Sequence, residues 1–232
     1  MNNIIAIFKK QIKDTLKNKT IFIQFIMFPM LTLIMSNTVK IDKMPQNFFV
    51  NLFATMYIGM APLTSMAAII SEEKEKNTLR VLMMSNVKPY EYLLGIGSYT
   101  WFACMVGAAI LSIPGKYSLR ERLIFMGIMA AGILVSLLIG AALGTFSKTQ
   151  MMATSVTIPV MMAFSFLPMM SLFNDTIAKI AKVTYTEQIS QMLSQINSLQ
   201  LEGDTILIMA ANILLFAALF TAAYRKCGLD LS

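Results

Sequence analysis

Long apolar runs alternate with short polar segments along this chain, and the alternation predicts its helices. Each run has about the 20 residues that a helix needs to cross a bilayer, and most charged residues lie between the runs. We therefore expect six membrane-spanning helices, over residues 20–39, 48–70, 90–113, 123–146, 151–173 and 205–224. The first two are joined by a short polar turn over residues 40–47.

The N-terminal segment has a different pattern, because apolar residues there are interleaved with lysines. Ile5, Phe8, Ile12 and Leu16 recur at intervals of three and four residues, which predicts an amphipathic helix. The lysines of this segment favour an anionic cytoplasmic leaflet, so we expect the helix to lie along the membrane interface: Lys9, Lys10, Lys13, Lys17 and Lys19.

Residues 174–204 are too polar to span a membrane, although apolar residues recur there at helical spacing. The pattern predicts two short amphipathic helices at the membrane face, separated near Thr184 and Tyr185. In the fourth apolar run, Gly140 and Gly144 form a pair of small residues that permits close helix contact, for which we favour packing within the chain over dimerisation.

Composition supports a fold in which lipid replaces water as the main solvent. The 232 residues are 56% hydrophobic and 13% charged, whereas soluble domains carry roughly 25% charged residues. The chain is therefore predicted to be an all-α integral membrane protein, with one transmembrane domain over residues 1–232. Cys104 and Cys227 lie far apart in the sequence, so we expect neither a disulfide framework nor a metal site.

The net charge of +7 indicates an orientation rather than a nucleic-acid partner. Basic residues lie at the ends of the apolar runs and are not clustered on a soluble element, which argues against nucleic-acid binding. Lysine and arginine are more numerous in the segments on the side of both chain ends than in those on the other side. This excess places both termini in the cytoplasm.

Residues 71–89 form the most highly charged segment between two spans. Ser71 is predicted to cap a short helix whose first turn carries Glu72 and Glu73, where acidic groups favour the positive end of the helix dipole. Asn77 is predicted to form a bend, because asparagine tolerates left-handed backbone conformations.

After this bend, Thr78 is predicted to cap a second short helix that presents Leu79, Leu82 and Met83 on one face. A helix with one apolar and one charged face can dock into a groove of a cytoplasmic partner. An ordinary solvated loop with basic anchors explains the same pattern, and the residues alone leave both interpretations open.

Residues 72–95 resemble the membrane subunit of type-2 ABC transporters. An acidic stretch leads to Asn77-Thr78-Leu79, an apolar pair and Ser85 follow, and Leu93-Leu94-Gly95 lies in the third span. The family frequently has glycine, proline and lysine at the positions of Asn77, Asn86 and Ile96. The resemblance also extends to the order of spans and amphipathic segments over nearly the whole chain.

The resemblance implies a role for this segment. It would be a coupling helix that receives motion from an ATP-binding subunit through Glu72, Glu73, Glu75, Thr78, Leu79, Arg80, Leu82 and Met83. It also implies that Thr184 and Tyr185 lie in a re-entrant hairpin between the fifth and sixth spans.

The function that we expect is that of a plasma-membrane permease subunit in an ATP-driven exporter. The sequence has no Gly-x-x-x-x-Gly-Lys-Ser/Thr loop, so ATP and magnesium would bind to a separate ATPase subunit, and this chain would hold no cofactor. A second copy or a paralogue would complete the path. Methionine side chains adapt to varied apolar ligands, so we expect an amphipathic peptide, lipid or drug as the substrate. The candidate residues of the substrate path are Met161, Phe164 and Phe166.

Three alternatives belong to other functional classes. An intramembrane protease needs activating groups that a chain without histidine does not supply. A secondary transporter typically has ionisable residues deep within its spans, whereas most charges here lie between them. A structural or immunity-type membrane protein without an ATPase partner would not need the docking helix.

Overall fold

The computed structural model describes residues 3–39, 45, 47–196 and 203–227, without the side chains of residues 19, 20 and 227. Most of the predicted polar turn at 40–47 lies outside these residues. The described residues are helical and include no strand, which confirms the predicted all-α class. Six helices are long and apolar enough to cross a membrane: α2 (Lys19–Thr38), α3 (Phe48–Glu75), α5 (Pro89–Leu111), α6 (Leu119–Phe146), α7 (Gln150–Ser171) and α10 (Gly203–Cys227).

Two helix boundaries differ from the prediction by more than three residues. α3 continues five residues past Ile70, so the predicted cap at Ser71 is wrong, and Ser71 is completely buried within the helix. α6 begins at Leu119, because Ser118 and Glu121 form a capping box in which the Ser118 amide donates to the Glu121 carboxylate at 2.6 Å.

α3 is the central helix of the bundle and contacts α2, α5, α6 and α7. Its contact with α6 is close because Gly140 and Gly144 of α6 have no side chains. A Cβ atom built on Gly140 would lie 2.4 Å from the Leu63 carbonyl oxygen, and one on Gly144 would lie 3.0 Å from the Ala67 Cα. The glycine pair therefore packs within the chain, as predicted.

The polar stretch before the last long helix forms a helical hairpin of α8 (Asp175–Ala181) and α9 (Tyr185–Ser194), with its turn at the predicted place. The hairpin enters the bundle instead of lying on its face. The Tyr185 hydroxyl lies 2.8 Å from the Ser136 hydroxyl in the middle of α6, and the Asn212 amide donates to the Val183 carbonyl at 2.9 Å. Polar partners inside the bundle thus permit the polar residues at the start of α9, such as Thr186 and Gln188, to be buried.

α1 (Asn3–Lys17) is the predicted N-terminal amphipathic helix, and it packs against the first half of α5. Gly95 allows close contact with Ile7, and the rings of Phe8 and Tyr99 lie 5.7 Å apart. Phe8 therefore faces the bundle, whereas the other residues of the predicted apolar stripe are exposed: Ile5, Ile12 and Leu16.

The two ends of the bundle are built differently. α1 and the short α4 (Thr78–Met84) lie at one end, which we call the α4 end. At the opposite end, which we call the hairpin end, the Tyr117 hydroxyl donates to Asn51 Oδ1 at 3.0 Å, and the Asn51 amide donates to the Leu193 carbonyl at 3.3 Å. Neutral hydrogen bonds thus join three segments at the hairpin end.

Gly140→Ala is expected to destabilise the bundle by about 1–3 kcal/mol, because the added methyl group forces α6 away from α3. The measurement is unfolding in mixed micelles titrated with sodium dodecyl sulfate. Gly127→Ala on the same helix is the matched control, since no atom lies within 4 Å of the position of its Cβ. Equal effects of the two substitutions would contradict this packing.

Candidate partner-docking site

The last turn of α3 carries a buried carboxylate that fastens α1 to the bundle. Glu73 is only 6% exposed, and its Oε1 accepts a hydrogen bond from Gln11 Nε2 at 2.7 Å and another from Lys10 Nζ. The amide of Gln11 is itself buried. Since a buried charge is stable only when it is paired and hydrogen-bonded, this contact fixes α1 against the end of α3.

Glu72 lies on the adjacent side of the same turn. Its carboxylate accepts from Asn18 Nδ2 at 3.2 Å, at the junction between α1 and α2, and from Lys76 Nζ. The hydrogen bond to Glu72 raises the pKa of Lys76 above its ordinary value. Glu72 therefore contacts both the N-terminal segment and the residue just beyond α3.

Two further residues of this turn reach the loop between α6 and α7. Lys74 Nζ donates to the Thr145 carbonyl at 2.6 Å, near the end of α6. Glu75 accepts from the backbone amide of Gln150, the first residue of α7, at 2.6 Å. A carboxylate at a helix N-terminus and an ammonium group at a helix C-terminus both complement the helix dipole.

α4 follows α3 almost without a linker. Asn77 adopts a left-handed conformation with a φ of 56°, as the sequence predicts. Thr78 begins α4, but its hydroxyl donates back to the Glu73 carbonyl at 3.2 Å and does not cap the new helix. The direction of α4 is therefore set directly by the end of α3.

The apolar residues of α4 lie on two faces of the helix, and the face that was predicted to dock with a partner is the one turned towards the bundle. Leu79 is buried, and Leu82 and Met83 pack against the chain's own core. The side chains that remain accessible on the outer face are Val81 at 62% and Met84 at 77% exposure, with Arg80 beside them. The bundle itself thus uses the face that the sequence assigned to a partner.

Sequence reasoning missed Val81 and Met84, although a signal for them exists. They lie three residues apart and therefore share a helix face, in the same way as Leu79 and Leu82. The short helix thus has two apolar stripes, and the pattern alone does not say which stripe the bundle covers. Of the predicted coupling residues, Glu75 and Arg80 are exposed, whereas Glu73 and Leu79 are not.

A cavity of about 620 Å³ lies between α1, the end of α3 and the start of α4. Its charged lining has as many lysines as carboxylates: Lys10, Lys17, Lys76, Asp14, Glu72 and Glu73. The balance favours neither an anion such as a phosphate nor a free cation. Within the described part of the chain, no group of three or more histidine, cysteine or acidic residues is arranged to hold a metal.

The three predicted path residues of α7 do not share one surface. Phe164 lies in an aromatic cluster, with its ring 5.1 Å from that of Tyr185 and 5.7 Å from that of Phe216. Met161 packs against the core, whereas Phe166 is 39% exposed. A cavity of about 210 Å³ instead lies nearer the hairpin end, where α3, α7 and α9 meet.

Comparison with known proteins agrees with the architecture. A family model described as ABC-2 family transporter protein matches residues 1–225. No curated protein matches the chain. The matched range begins before α1 and ends within the last turns of α10, so it includes α4, the hairpin and nearly all of the six long helices.

Glu73→Ala is expected to destabilise the folded chain by about 1–3 kcal/mol, because it leaves the buried Gln11 amide without its acceptor. The measurement is thermal unfolding in detergent. Asp14→Ala is the control, because its carboxylate is half exposed and lies 3.6 Å from the same Lys10, so a change of about 0.5 kcal/mol or less is expected. A larger loss for Asp14→Ala would refute the dominant role of Glu73.

Proposed function

The chain belongs to the ABC-2 family of transporter proteins, and from this premise we propose that it is the permease subunit of an ATP-driven exporter. The observation that carries the proposal is the outer face of α4, where two exposed apolar side chains stand beside an arginine. The chain forms one transmembrane domain over residues 1–232. It is a transport component that catalyses no reaction of its own.

The partner at α4 is an ABC ATPase subunit. Val81 and Met84 form a short apolar stripe that fits a groove on a second protein, and Arg80 adds a charge at its edge. The sequence has no phosphate-binding loop of the P-loop type, so the partner binds ATP and magnesium. α4 thus serves as the coupling helix.

The orientation follows from the N-terminal helix and the distribution of basic residues. Ile5, Ile12 and Leu16 are exposed on α1 together with Lys9 and Lys13, an arrangement that suits the anionic inner leaflet of the plasma membrane. The α4 end and both termini are therefore cytoplasmic. The ATPase binds at this end, where nucleotide is available.

A second copy or a paralogue completes the transport path. α7 and α10 carry broad exposed apolar surfaces, with Met162 at 50%, Met170 at 50% and Leu214 at 71% exposure. Lipid covers part of this surface, and the second permease subunit covers the remainder.

The substrate is amphipathic or hydrophobic, of the class of peptides, lipids and drugs. The cavity between α3, α7 and α9 supports this class, because apolar side chains line it together with uncharged polar groups: Asn51, Thr55, Ser165, Ser190 and Ser194. Apolar walls with a few hydrogen-bonding groups favour ligands that combine both properties. Among the residues that the structure describes, no charged side chain lines this cavity, which disfavours a strongly ionic cargo.

Met84→Asp is expected to weaken association with the ATPase at least ten-fold, because it places a charge in the centre of the apolar stripe. Candidate ABC ATPases from neighbouring genes are co-expressed with the chain, and the copurified ratio and affinity are measured. Leu119→Asp is the matched control, since Leu119 is also 77% exposed but lies at the opposite end of the bundle. The Leu119→Asp variant should bind the ATPase with the same affinity as the wild type.

Two results would contradict different parts of the proposal. If Met84→Asp binds the ATPase as tightly as the wild type does, α4 is not the docking helix. If no ATPase copurifies with the wild-type chain, the exporter assignment is wrong, and a secondary or structural membrane protein becomes the better explanation.

The substrate class is tested with fluorescent lipid, peptide and dye probes in vesicles that contain the complex. For probes that the wild type exports, Met169→Trp is expected to slow export several-fold, because the larger ring fills the cavity that Met169 lines. Met30→Trp on α2, which is half exposed and outside that lining, should not. Export of only strongly charged, hydrophilic probes would overturn the assigned class.

A further inference from the structure

The last turn of α3 is unusual in that four consecutive residues each contact a different part of the chain. Glu73 holds α1, Glu72 holds the junction of α1 and α2, Lys74 reaches the end of α6, and Glu75 reaches the start of α7. Successive residues of an α-helix point about 100° apart, so the four side chains together surround the helix axis. We name residues 72–75 the hub.

We propose that the hub is the element that distributes the motion of α4 to separate helices of the bundle. Its four residues are positioning residues for transport. We call the contact that each of them makes with another part of the chain an arm of the hub. This inference rests on the proposed function, because it takes α4 as the site where the ATPase acts. It goes further in assigning a separate transmitting contact to each of several helices.

The joint between α4 and the hub is short and closed by hydrogen bonds. Only Lys76 and Asn77 lie between the two helices, and the backbone amide of Asn77 donates to the Lys74 carbonyl at 3.1 Å. The Thr78 hydroxyl of α4 donates to the Glu73 carbonyl, so one residue of the hub holds both α4 and α1. A rotation of α4 therefore reaches the hub without being absorbed by a flexible linker.

The arms to α6 and α7 contact the ends of these helices rather than their sides. Lys74 binds a carbonyl near the C-terminus of α6, and Glu75 binds the first amide of α7. Polar contacts at helix ends control the position of a helix along its axis, whereas apolar contacts along its side permit sliding. The Glu75 arm is thus suited to move α7 independently of α5.

The Glu75 arm offers the sharpest test, because Glu75 is exposed and its removal leaves no buried gap. Glu75→Ala removes the acceptor for Gln150, whereas Glu75→Gln keeps an oxygen that accepts the same hydrogen bond. Lys76→Ala is the matched control, because Lys76 is the next charged residue along the chain and its side chain bonds within the same segment, to Glu72.

Spin labels at Leu119 and Leu172 report the distance between the start of α6 and the end of α7. Labels at Leu119 and Ile113 report the distance between the start of α6 and the end of α5. All three positions are more than half exposed, Cys104 is buried, and Cys227 is replaced by serine. Distances are measured on the complex with its ATPase in vesicles, before and after trapping ATP with vanadate, at equal nucleotide occupancy.

We expect trapping to shift both distances in the wild type and in Lys76→Ala. In Glu75→Ala the α6–α7 shift should fall by at least half while the α5–α6 shift is retained, and Glu75→Gln should restore the full response. A general loss of stability would change both distances together and would not be rescued by glutamine.

Three results would overturn the inference. Equal α6–α7 shifts in the wild type and Glu75→Ala would show that the Glu75 arm transmits nothing, while the proposed function would stand. Loss of both shifts in Glu75→Ala without rescue by Glu75→Gln would make its role structural. A wild-type chain that binds no ATPase, seen at copurification, would remove the exporter assignment and the hub together.

Discussion

The contact between α3 and α6 is the interaction on which the rest of the bundle depends. It is close only because glycines of α6 let the backbone of α3 approach, as at Gly140 and Leu63. Inside a membrane, such close packing replaces the hydrophobic drive that holds soluble helices together. With α3 and α6 fixed, α9 packs against Ser136 and Gly132 of α6, and the charged end of α3 lies where it meets α1 and α7.

The sequence was sufficient to predict the six spans, because each apolar run has the length that a bilayer requires. It also predicted the bend at Asn77 and the division between α8 and α9. It did not predict where α3 ends, because the carboxylates of Glu72, Glu73 and Glu75 resemble solvated loop residues until their partners on other helices are known. Those partners are distant in sequence, and no local pattern encodes them.

The same limit explains the two errors of orientation. Periodicity shows which residues of a helix share a face, but it does not show what covers that face. Leu79 and Val81 are both apolar residues of α4, yet one is buried by the bundle and the other is exposed. Likewise, the polar residues around Tyr185 indicated a surface location, and the hydrogen-bond partners that bury them lie on α6 and α10.

The hydrogen bond from Asn212 to the carbonyl of Val183 has a consequence for the way the protein is made. Asn212 lies in α10, which leaves the ribosome after the hairpin to which Val183 belongs. Until α10 inserts, the Val183 carbonyl lacks this partner, and an unsatisfied polar group is costly in a membrane. A chain truncated before α10 therefore keeps a hairpin whose turn lacks the hydrogen bond from Asn212.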